Sequence, residues 1–334
     1  MKIFSWPVYG MILATSGLLA GQQGQLSGPV AGFVFDGAGR VLRPIQGIPG
    51  ASLLGDPMSF GFDLAAVYVS PRQDSALVVG ADQSLHFFGI NAGATTEISL
   101  GGLTGVPQSV VFSPSGTAAA LFALGKARVL TGLPNAPTLA ATVTIPGSGQ
   151  IVPPRPGSKD GSRPARTPAE SLALSDDGTY LLTVSGGEAR LLSIHGENRT
   201  LLPAQADALV AFAAGGHDAA VMDSVAGLTL IRDAAGAAGT QVLAVPDDGL
   251  ASPAGLAFSQ DEKTLYVASA GAQSVAAFNL AAGSRTAIGC ACTPATLAPM
   301  GNLFRLTELT SAPLWILDTG ASNPRIVFVP ARGE

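Results

Sequence analysis

The feature that most constrains this fold is a pair of short strands around a polar turn, which recurs along most of the chain. In the clearest copy, strands at 256–258 and 265–268 flank the turn SQDEK at 259–263, and further strands at 275–280 and 285–288 follow. β-Branched and aromatic residues between turn-forming residues are typical of antiparallel strands. A four-stranded unit repeated about every forty residues predicts an all-β fold, the β-propeller.

Five such hairpins follow one another along the chain, at 67–79, 110–122, 172–184, 210–222 and 256–268, and a degenerate sixth copy is at 303–317. Their equivalent turn residues are Ser70, Ser113, Ser175, Ala213 and Ser259, which are 43, 62, 38 and 46 residues apart. Each copy except the last precedes a further pair of strands. The last precedes only one clear strand, 325–329.

At the beginning of the repeat region, the first two strands of a unit are absent from the pattern and the last two are present. Residues 30–47 align with 274–289, the third and fourth strands of the clearest unit, and 47–58 reads as a Gly- and Pro-containing loop. A propeller avoids an open edge when its last blade is complete. We therefore expect N- and C-terminal strands to complete one blade, which closes the ring and gives six four-stranded antiparallel blades. Seven blades is the alternative, if the N-terminal hairpin begins a blade of its own.

The turns contain Ser-Pro at Ser70-Pro71, Ser-Pro-Ser-Gly at 113–116 and Ser-Asp-Asp-Gly at 175–178. Their role is structural, because Ser and Asp side chains cap the backbone, Pro presets φ and Gly accepts a positive φ. With the strand Leu-Tyr-Val-Ala at 265–268, these turns resemble the repeat of exported bacterial β-propellers of the YVTN type. The copy at 259 lacks the Asp-Gly, and the copy at 210–222 lacks the Ser-Pro. The resemblance implies a propeller. It leaves function open, since this fold supports unrelated activities, lactonases among them.

The composition favours many tight turns and a surface that is poor in charge. Gly and Pro number 42 and 24 of 334 residues, and charged residues make up only 12%. A formal net charge of −5 argues against nucleic acid as a partner, because proteins that bind it usually present a basic face. Hydrophobic residues make up 47% of the chain, enough for a large core held together by burial.

The first residues predict export. Lys2 precedes an apolar run at 8–20, and Ala20 and Gly21 offer a cleavage site before the polar Gln22. A membrane span needs about 20 apolar residues, more than this run provides. We expect a cleaved signal peptide at 1–21, with an uncleaved membrane anchor as the alternative. The mature chain is then one domain, 22–334, that is periplasmic, secreted or on the cell surface, with no membrane span.

One segment interrupts the repeats. Residues 146–168 contain six prolines, and four basic residues accompany one acid, Asp160. Such a stretch buries too little apolar area to order itself. The prediction is an extended insertion loop. A basic arm that docks on an anionic surface or a polysaccharide is the alternative.

The sequence contains no recognisable catalytic, cofactor-binding or metal-binding motif. His86, His195 and His217 fall in different repeats and lack metal-ligand spacing. The adjacent acids at 176–177 and 247–248 lack the alternating oxygen ligands of a calcium loop. There is no Gly-x-Ser-x-Gly elbow for a hydrolase nucleophile and no phosphate loop.

Cys290 and Cys292 are the one unusual pair. In an oxidising compartment two thiols this close can form a disulfide that stiffens the loop after Ile288, although a ring over one intervening residue is strained. Free thiols, and a redox or metal role, are the alternatives.

These observations favour a monomeric, non-catalytic scaffold. We expect it to bind a protein or carbohydrate ligand at a loop rim or in the central channel, since loops carry variable side chains on a rigid frame. The alternative is a lactonase-like or other hydrolytic propeller, which would need polar side chains that converge at the channel mouth. The scattered candidates for such a cluster are Arg72, His86, Arg232, Asp233 and Arg305.

Overall fold

The computed structural model describes residues 28–91, 93–147, 172–321 and 323–331, and every regular element in these ranges is a β-strand. No helix long and apolar enough to cross a membrane occurs in this part of the chain. The predicted signal peptide at 1–21 and most of the predicted loop at 146–168 lie outside the described residues. Those two predictions therefore remain predictions.

The strands form seven antiparallel sheets, the blades, each from one continuous segment of chain. Blade 1 contains β1 (Val30–Asp36), β2 (Val41–Ile48) and β3 (Ala51–Leu54). Blade 2 contains β4 (Leu64–Val69), β5 (Ser75–Gly80), β6 (Leu85–Asn91) and β7 (Ala94–Ile98). Blade 3 contains β8 (Ser109–Phe112), β9 (Ala118–Ala123), β10 (Lys126–Thr131) and β11 (Thr138–Thr144). Blade 4 contains β12 (Leu172–Leu174), β13 (Tyr180–Ser185), β14 (Glu188–Ser193) and β15 (Asn198–Pro203).

The remaining blades follow the same order. Blade 5 contains β16 (Leu209–Phe212), β17 (Ala219–Asp223), β18 (Gly227–Arg232) and β19 (Gly239–Ala244). Blade 6 contains β20 (Pro253–Phe258), β21 (Thr264–Ser269), β22 (Ser274–Asn279) and β23 (Ser284–Gly289). Blade 7 contains β24 (Ala298–Met300), β25 (Leu303–Arg305), β26 (Leu314–Asp318) and β27 (Arg325–Val329). The chain is therefore a seven-bladed β-propeller, and the alternative count of seven is correct.

The core consists of apolar clusters between neighbouring blades. Middle strands alternate their side chains between two faces, so each sheet packs on both neighbours. In blade 5, for example, Leu230 packs toward blade 6 and Ile231 toward blade 4, and both are completely buried. The described residues form seven such clusters, one for each pair of neighbouring blades.

One of these clusters closes the ring. Val34 and Ile45 of blade 1 pack with Leu314, Ile316 and Val329 of blade 7. We call this contact the seam. The two ends of the described chain thus meet and close the ring, as predicted. The prediction that they complete one blade together is wrong, because each end contributes its own blade and they share no sheet.

The three strands of blade 1 correspond to the second, third and fourth strands of the other blades. The β2–β3 turn lies beside the start of β27, a fourth strand, because Arg325 Nη2 donates a hydrogen bond to Pro49 O at 3.4 Å. Residues 55–63 then lead from β3 to β4, as a fourth strand leads to the next blade elsewhere in the ring. β1 contacts β4 and β24, the innermost strands of the two neighbouring blades. Within the described residues, no strand pairs with the inner edge of β1.

The five hairpins predicted from 67 to 268 are the first and second strands of blades 2–6, as expected. Two other assignments are wrong. The stretch 30–47 provides second and third strands, and the predicted loop at 47–58 contains the fourth, β3. The stretch 303–317 also provides second and third strands, since the first strand of blade 7 is the short β24. The six-blade count followed from these two errors.

Candidate functional site: the central channel

The channel is enclosed by the first strands of blades 2–7 and by β1. It contains two adjoining cavities, which share wall residues that include Val111, Phe112 and Pro299. The main cavity, about 500 Å³, is lined by β8, β12, β16, β20 and β24. The seam cavity, about 560 Å³, is lined by β1, β4, β8 and β24. Both volumes lie within the range of small-molecule sites, about 300–1,000 Å³.

Apolar side chains dominate the walls. The main cavity is lined by Leu172, Leu209, Leu256 and several alanines, and the seam cavity by Phe33, Phe35, Val67, Val69 and Met300. Tyr68 also faces the seam cavity, and burial raises its pKa above the ordinary value of 10.0. Its hydroxyl therefore stays neutral at physiological pH. The first strands have short apolar sequences such as Leu-Ala-Leu and Leu-Val-Ala-Phe, which explains this lining.

The turns between first and second strands form one mouth of the channel. Asp176, in the turn of blade 4, joins the turns on either side. Its Oδ1 accepts a hydrogen bond from Ser115 N at 2.6 Å, and its Oδ2 accepts one from Gly215 N at 3.1 Å. Gly301 N, in the turn of blade 7, donates to Pro71 O of blade 2 at 2.6 Å. These bonds connect turns of different blades and hold the mouth in shape.

Charged groups on the channel wall are few and separated. Arg72 lies in the turn of blade 2 at this mouth, and its Nη2 is 2.6 Å from Asp74 Oδ2. Arg305 ends β25, which runs away from the Gly301 turn, and its Nη1 pairs with Glu308 Oε2. Arg305 and Glu308 line the seam cavity, whereas Arg72 lines the main cavity. The structure thus places two of the five scattered candidates at the channel and does not bring them together.

The other three candidates lie away from the channel, on a third strand or directly after one. His86 is in β6, where Nδ1 is 2.7 Å from Glu97 Oε1 and the ring stacks on Phe62 at 4.5 Å between centroids. Arg232 ends β18 and pairs with Asp218. Asp233 follows it and accepts hydrogen bonds from the backbone of the next turn, at Gly236 N and Ala237 N. Each of the three side chains thus has a local partner that explains its position without a catalytic role.

A charged cluster on the turns of blades 4–6 has a structural explanation as well. Burial raises the pKa of Asp177, but hydrogen bonds from Ser175, Thr179 and His217 outweigh it and lower the pKa from 3.8 to about 2. Glu262 has a raised pKa, first through burial and then through repulsion from Asp218, Asp176 and Asp261. No group of three or more His, Cys, Asp or Glu side chains suited to a metal occurs in the described ranges.

The structure places Cys290 and Cys292 at bonding distance, as a disulfide between residues two apart. Both side chains are nearly buried and pack with Tyr266, Phe304 and Leu306, between blades 6 and 7. The pair lies in the core and not on the channel wall. Its oxidation state remains a prediction.

Sequence reasoning missed Gln73 and the short β24. Gln73 has a positive φ of 63°, and its Oε1 accepts a hydrogen bond from Phe33 N of blade 1 at 2.7 Å. Glutamine in a polar turn carries no signal of a contact with another blade. The segment Ala298-Pro299-Met300 is too short to show an alternating pattern, although both cavities use its side chains.

Comparison with known proteins supports the fold. No protein-family model and no curated protein matches the sequence. Solved structures resemble this chain over most of its length. A protein of unknown function from Desulfotomaculum acetoxidans matches with a TM-score of 0.54 and 13% identity, over 90% of this chain and 100% of that chain. A Bacteroides fragilis protein, provisionally described as a 6-phosphogluconolactonase, matches with a TM-score of 0.54 and 16% identity, over 90% and 94%. At these identities the likeness concerns the fold alone.

Proposed function

We propose that this protein is an exported, non-catalytic scaffold that binds an apolar ligand, or an apolar part of a protein, in its central channel. The observation that carries the proposal is the predominantly apolar lining of the main cavity. An apolar surface inside a concave site gains free energy when a ligand displaces water from it, at about 25 cal/mol per Å². A few polar groups at the ends, such as Arg72 and Arg305, can orient the ligand.

The placement of the charged groups supports binding over catalysis. Hydrolysis needs a nucleophile or general base beside groups that stabilise developing charge, all within hydrogen-bonding reach of one reacting atom. Here Arg72 and Arg305 line different cavities, and each has its own carboxylate partner. The raised pKa values in the channel and turns, of Tyr68 and Glu262, belong to groups that are not adjacent.

Lactone hydrolysis is the second candidate. Its support is the fold shared with the Bacteroides fragilis protein together with two arginines on the channel wall. Purified protein incubated with 6-phosphogluconolactone and with acyl-homoserine lactones should give no hydrolysis above buffer. Hydrolysis that Arg72→Ala or Arg305→Ala abolishes, in a variant with an unchanged melting temperature, would replace the scaffold proposal with an enzymatic one.

Binding in the channel is tested with an apolar fluorescent dye such as anilinonaphthalene sulfonate. Ala254 lines the main cavity, so Ala254→Trp should fill it and reduce dye fluorescence. Ala237 is exposed on an outer turn, and Ala237→Trp is the matched control. Equal dye binding by wild type and both variants would contradict binding in the channel. Export is tested separately, by fractionation of cells that express the chain with and without residues 1–21.

A further inference from the structure

The seam cavity occupies the position that a first strand of blade 1 would take, and none of the described strands fills it. Six blades have a first strand at the channel, whereas in blade 1 the innermost described strand is β1, which corresponds to a second strand. The cavity has β1 at its back and the first strands β4 and β24 at its sides. A first strand of blade 1 would lie between these three elements.

The inner edge of β1 presents backbone groups to this cavity. Phe33 is opposite Pro44 in β2, and Pro44 O accepts a hydrogen bond from Gly55 N on the other side of β2, so Phe33 N–H is directed away from β2. Gln73 Oε1 accepts that hydrogen bond, so a strand added at this edge would have to displace the Gln73 side chain from Phe33 N. In an antiparallel sheet, residues two apart direct their N–H and C=O to the same edge. The backbone N–H and C=O of Phe35 are therefore directed to the cavity, as those of Phe33 are.

The slot is long enough for a strand of the kind that this protein uses there. The first strands of blades 4 and 7, β12 and β24, have only three residues each. The stretch from Phe33 to Phe35, all of which lines the cavity, has the same length. The side walls at 67–69 and 298–300 are mainly apolar, and Gln73, Arg305 and Glu308 are polar residues of the same lining.

We infer that the slot binds an extended, apolar segment of a partner protein, which adds to blade 1 as its innermost strand, antiparallel to β1. This inference rests on the proposed function and specifies its ligand class. Strand addition to an exposed sheet edge is a common mode of peptide recognition: backbone hydrogen bonds supply affinity, and pockets for alternate side chains supply specificity. In the predicted mature chain, the residues that precede the described part, 22–27 (QQGQLS), contain one large apolar residue and are chemically unlike this lining.

The test uses a fluorescent peptide whose sequence is that of β4 and the next residue, LAAVYVS, because β4 is a first strand that packs beside the slot. Wild-type protein should bind it saturably. Ala298→Trp places a large side chain in the seam cavity and should weaken binding by about tenfold or more. Ala254→Trp lies in the main cavity alone and should leave peptide binding within about twofold of wild type.

Backbone pairing is tested with N-methylated peptides. Methylation of one set of alternate residues removes the N–H groups that would bond to β1. Methylation of the other set removes N–H groups that point to the free edge of the bound peptide. We expect one set to lose binding and the other to keep it, and we expect slower amide hydrogen exchange across 30–36 with the unmodified peptide. Equal effects of the two sets, or no added protection, would overturn strand addition.

The outcomes separate this inference from the proposed function. If the protein binds the dye, Ala254→Trp blocks that binding, and the peptide does not bind, the channel scaffold is supported and the slot is refuted. If the protein binds neither the dye nor the peptide, the channel scaffold and the slot are both refuted. Peptide binding that appears only after deletion of 22–27 would assign the slot to the chain's own segment, and strand-mediated dimers in sedimentation would assign it to a second copy. Either result would overturn a partner segment.

Discussion

Gln73 of blade 2 reaches across to blade 1, where its side-chain oxygen accepts a hydrogen bond from the backbone N–H of Phe33 at 2.7 Å. The amide nitrogen of the same side chain donates to Ser70 O at 2.9 Å, within the turn. The side chain therefore fastens one blade's turn to the inner edge of the next blade. The same edge borders the seam cavity.

Loss of this contact should destabilise the protein. Gln73→Ala leaves the buried Phe33 N–H without its acceptor, which costs about 1–3 kcal/mol of unfolding free energy. Gln83→Ala is the matched control, because Gln83 also has a positive φ but is exposed in an outer turn. Chemical denaturation of both variants measures the difference. If the two variants lose equal stability, the Gln73–Phe33 bond contributes nothing specific.

Asp176 should matter for stability more than its partial exposure suggests. Asp176→Ala removes the acceptor of two backbone N–H groups, from Ser115 and Gly215, and loosens three turns at once. Charge-assisted bonds of this kind are stronger than neutral ones, so we expect a loss of about 1–3 kcal/mol. Asp247→Ala, at an exposed loop position, should be neutral within about 0.5 kcal/mol. A melting temperature for Asp176→Ala equal to that of the control would refute the bridging role.

Asp177 predicts a specific pH dependence. Its pKa in the folded protein, about 2, lies below the ordinary 3.8, so its ionised form favours folding. That contribution is fully present above about pH 4 and decreases as pH falls toward 2. Because the carboxylate is about half exposed, screening by solvent reduces the contribution to about 1 kcal/mol. Asp177→Asn should be less stable than wild type at pH 7 by this amount, and the difference should vanish as pH falls below about 2.

The unfolding free energies of wild type and Asp177→Asn should be measured at several pH values from 7 to 2. Asp247→Asn controls for the general effect of one lost charge. A difference between Asp177→Asn and wild type that stays constant from pH 7 to pH 2 would contradict the lowered pKa of Asp177.

The last strand should be essential to the seam. Deletion of 325–334 removes β27, including Val329, which is completely buried against blade 1. The deletion also exposes β26 as an unpaired edge, and such edges promote association. We expect a lower melting temperature and oligomers in size-exclusion chromatography. Deletion of 332–334 alone is the control. A truncated protein that stays monomeric and melts at the wild-type temperature would disprove this role.

Cys290 and Cys292 should be paired in protein isolated from an oxidising compartment. The intact mass should then be lower, by the mass of two hydrogen atoms, than after reduction. Since the closed loop contains a single intervening residue, its closure entropy is small, and Cys290→Ala/Cys292→Ala should lose mainly packing. Alkylation of both thiols without prior reduction would show that the pair is free.

Much of the fold could be predicted because the turns have distinctive chemistry. The Ser-Pro and Asp-Gly residues at 70–71, 113–116 and 175–178 indicate three of the hairpins from the sequence alone. The blade count failed where that chemistry is absent. β24 has only three residues, one of them a proline, and β3 directly follows the Pro49-Gly50 turn. Neither strand shows an alternating pattern.

The channel could not be predicted residue by residue. Side chains such as Val111, Leu209 and Pro299 meet there only because the blades are arranged in a circle, and no local pattern encodes that arrangement. The positions of Arg72 and Arg305 in different cavities likewise depend on the ring geometry. Sequence reasoning identified both residues as candidates but could not tell whether they converge.

The seam has a mechanical consequence. Within a blade, strands are joined by ladders of backbone hydrogen bonds, whereas blades 1 and 7 are joined by side-chain packing and a few polar contacts such as Arg325 with Pro49. A tensile load applied between residues 30 and 329 would therefore pull on an apolar contact, with no strand ladder to shear. The ring should open at this contact first, under a force lower than that needed to unravel any blade, and it should close again when the load is removed.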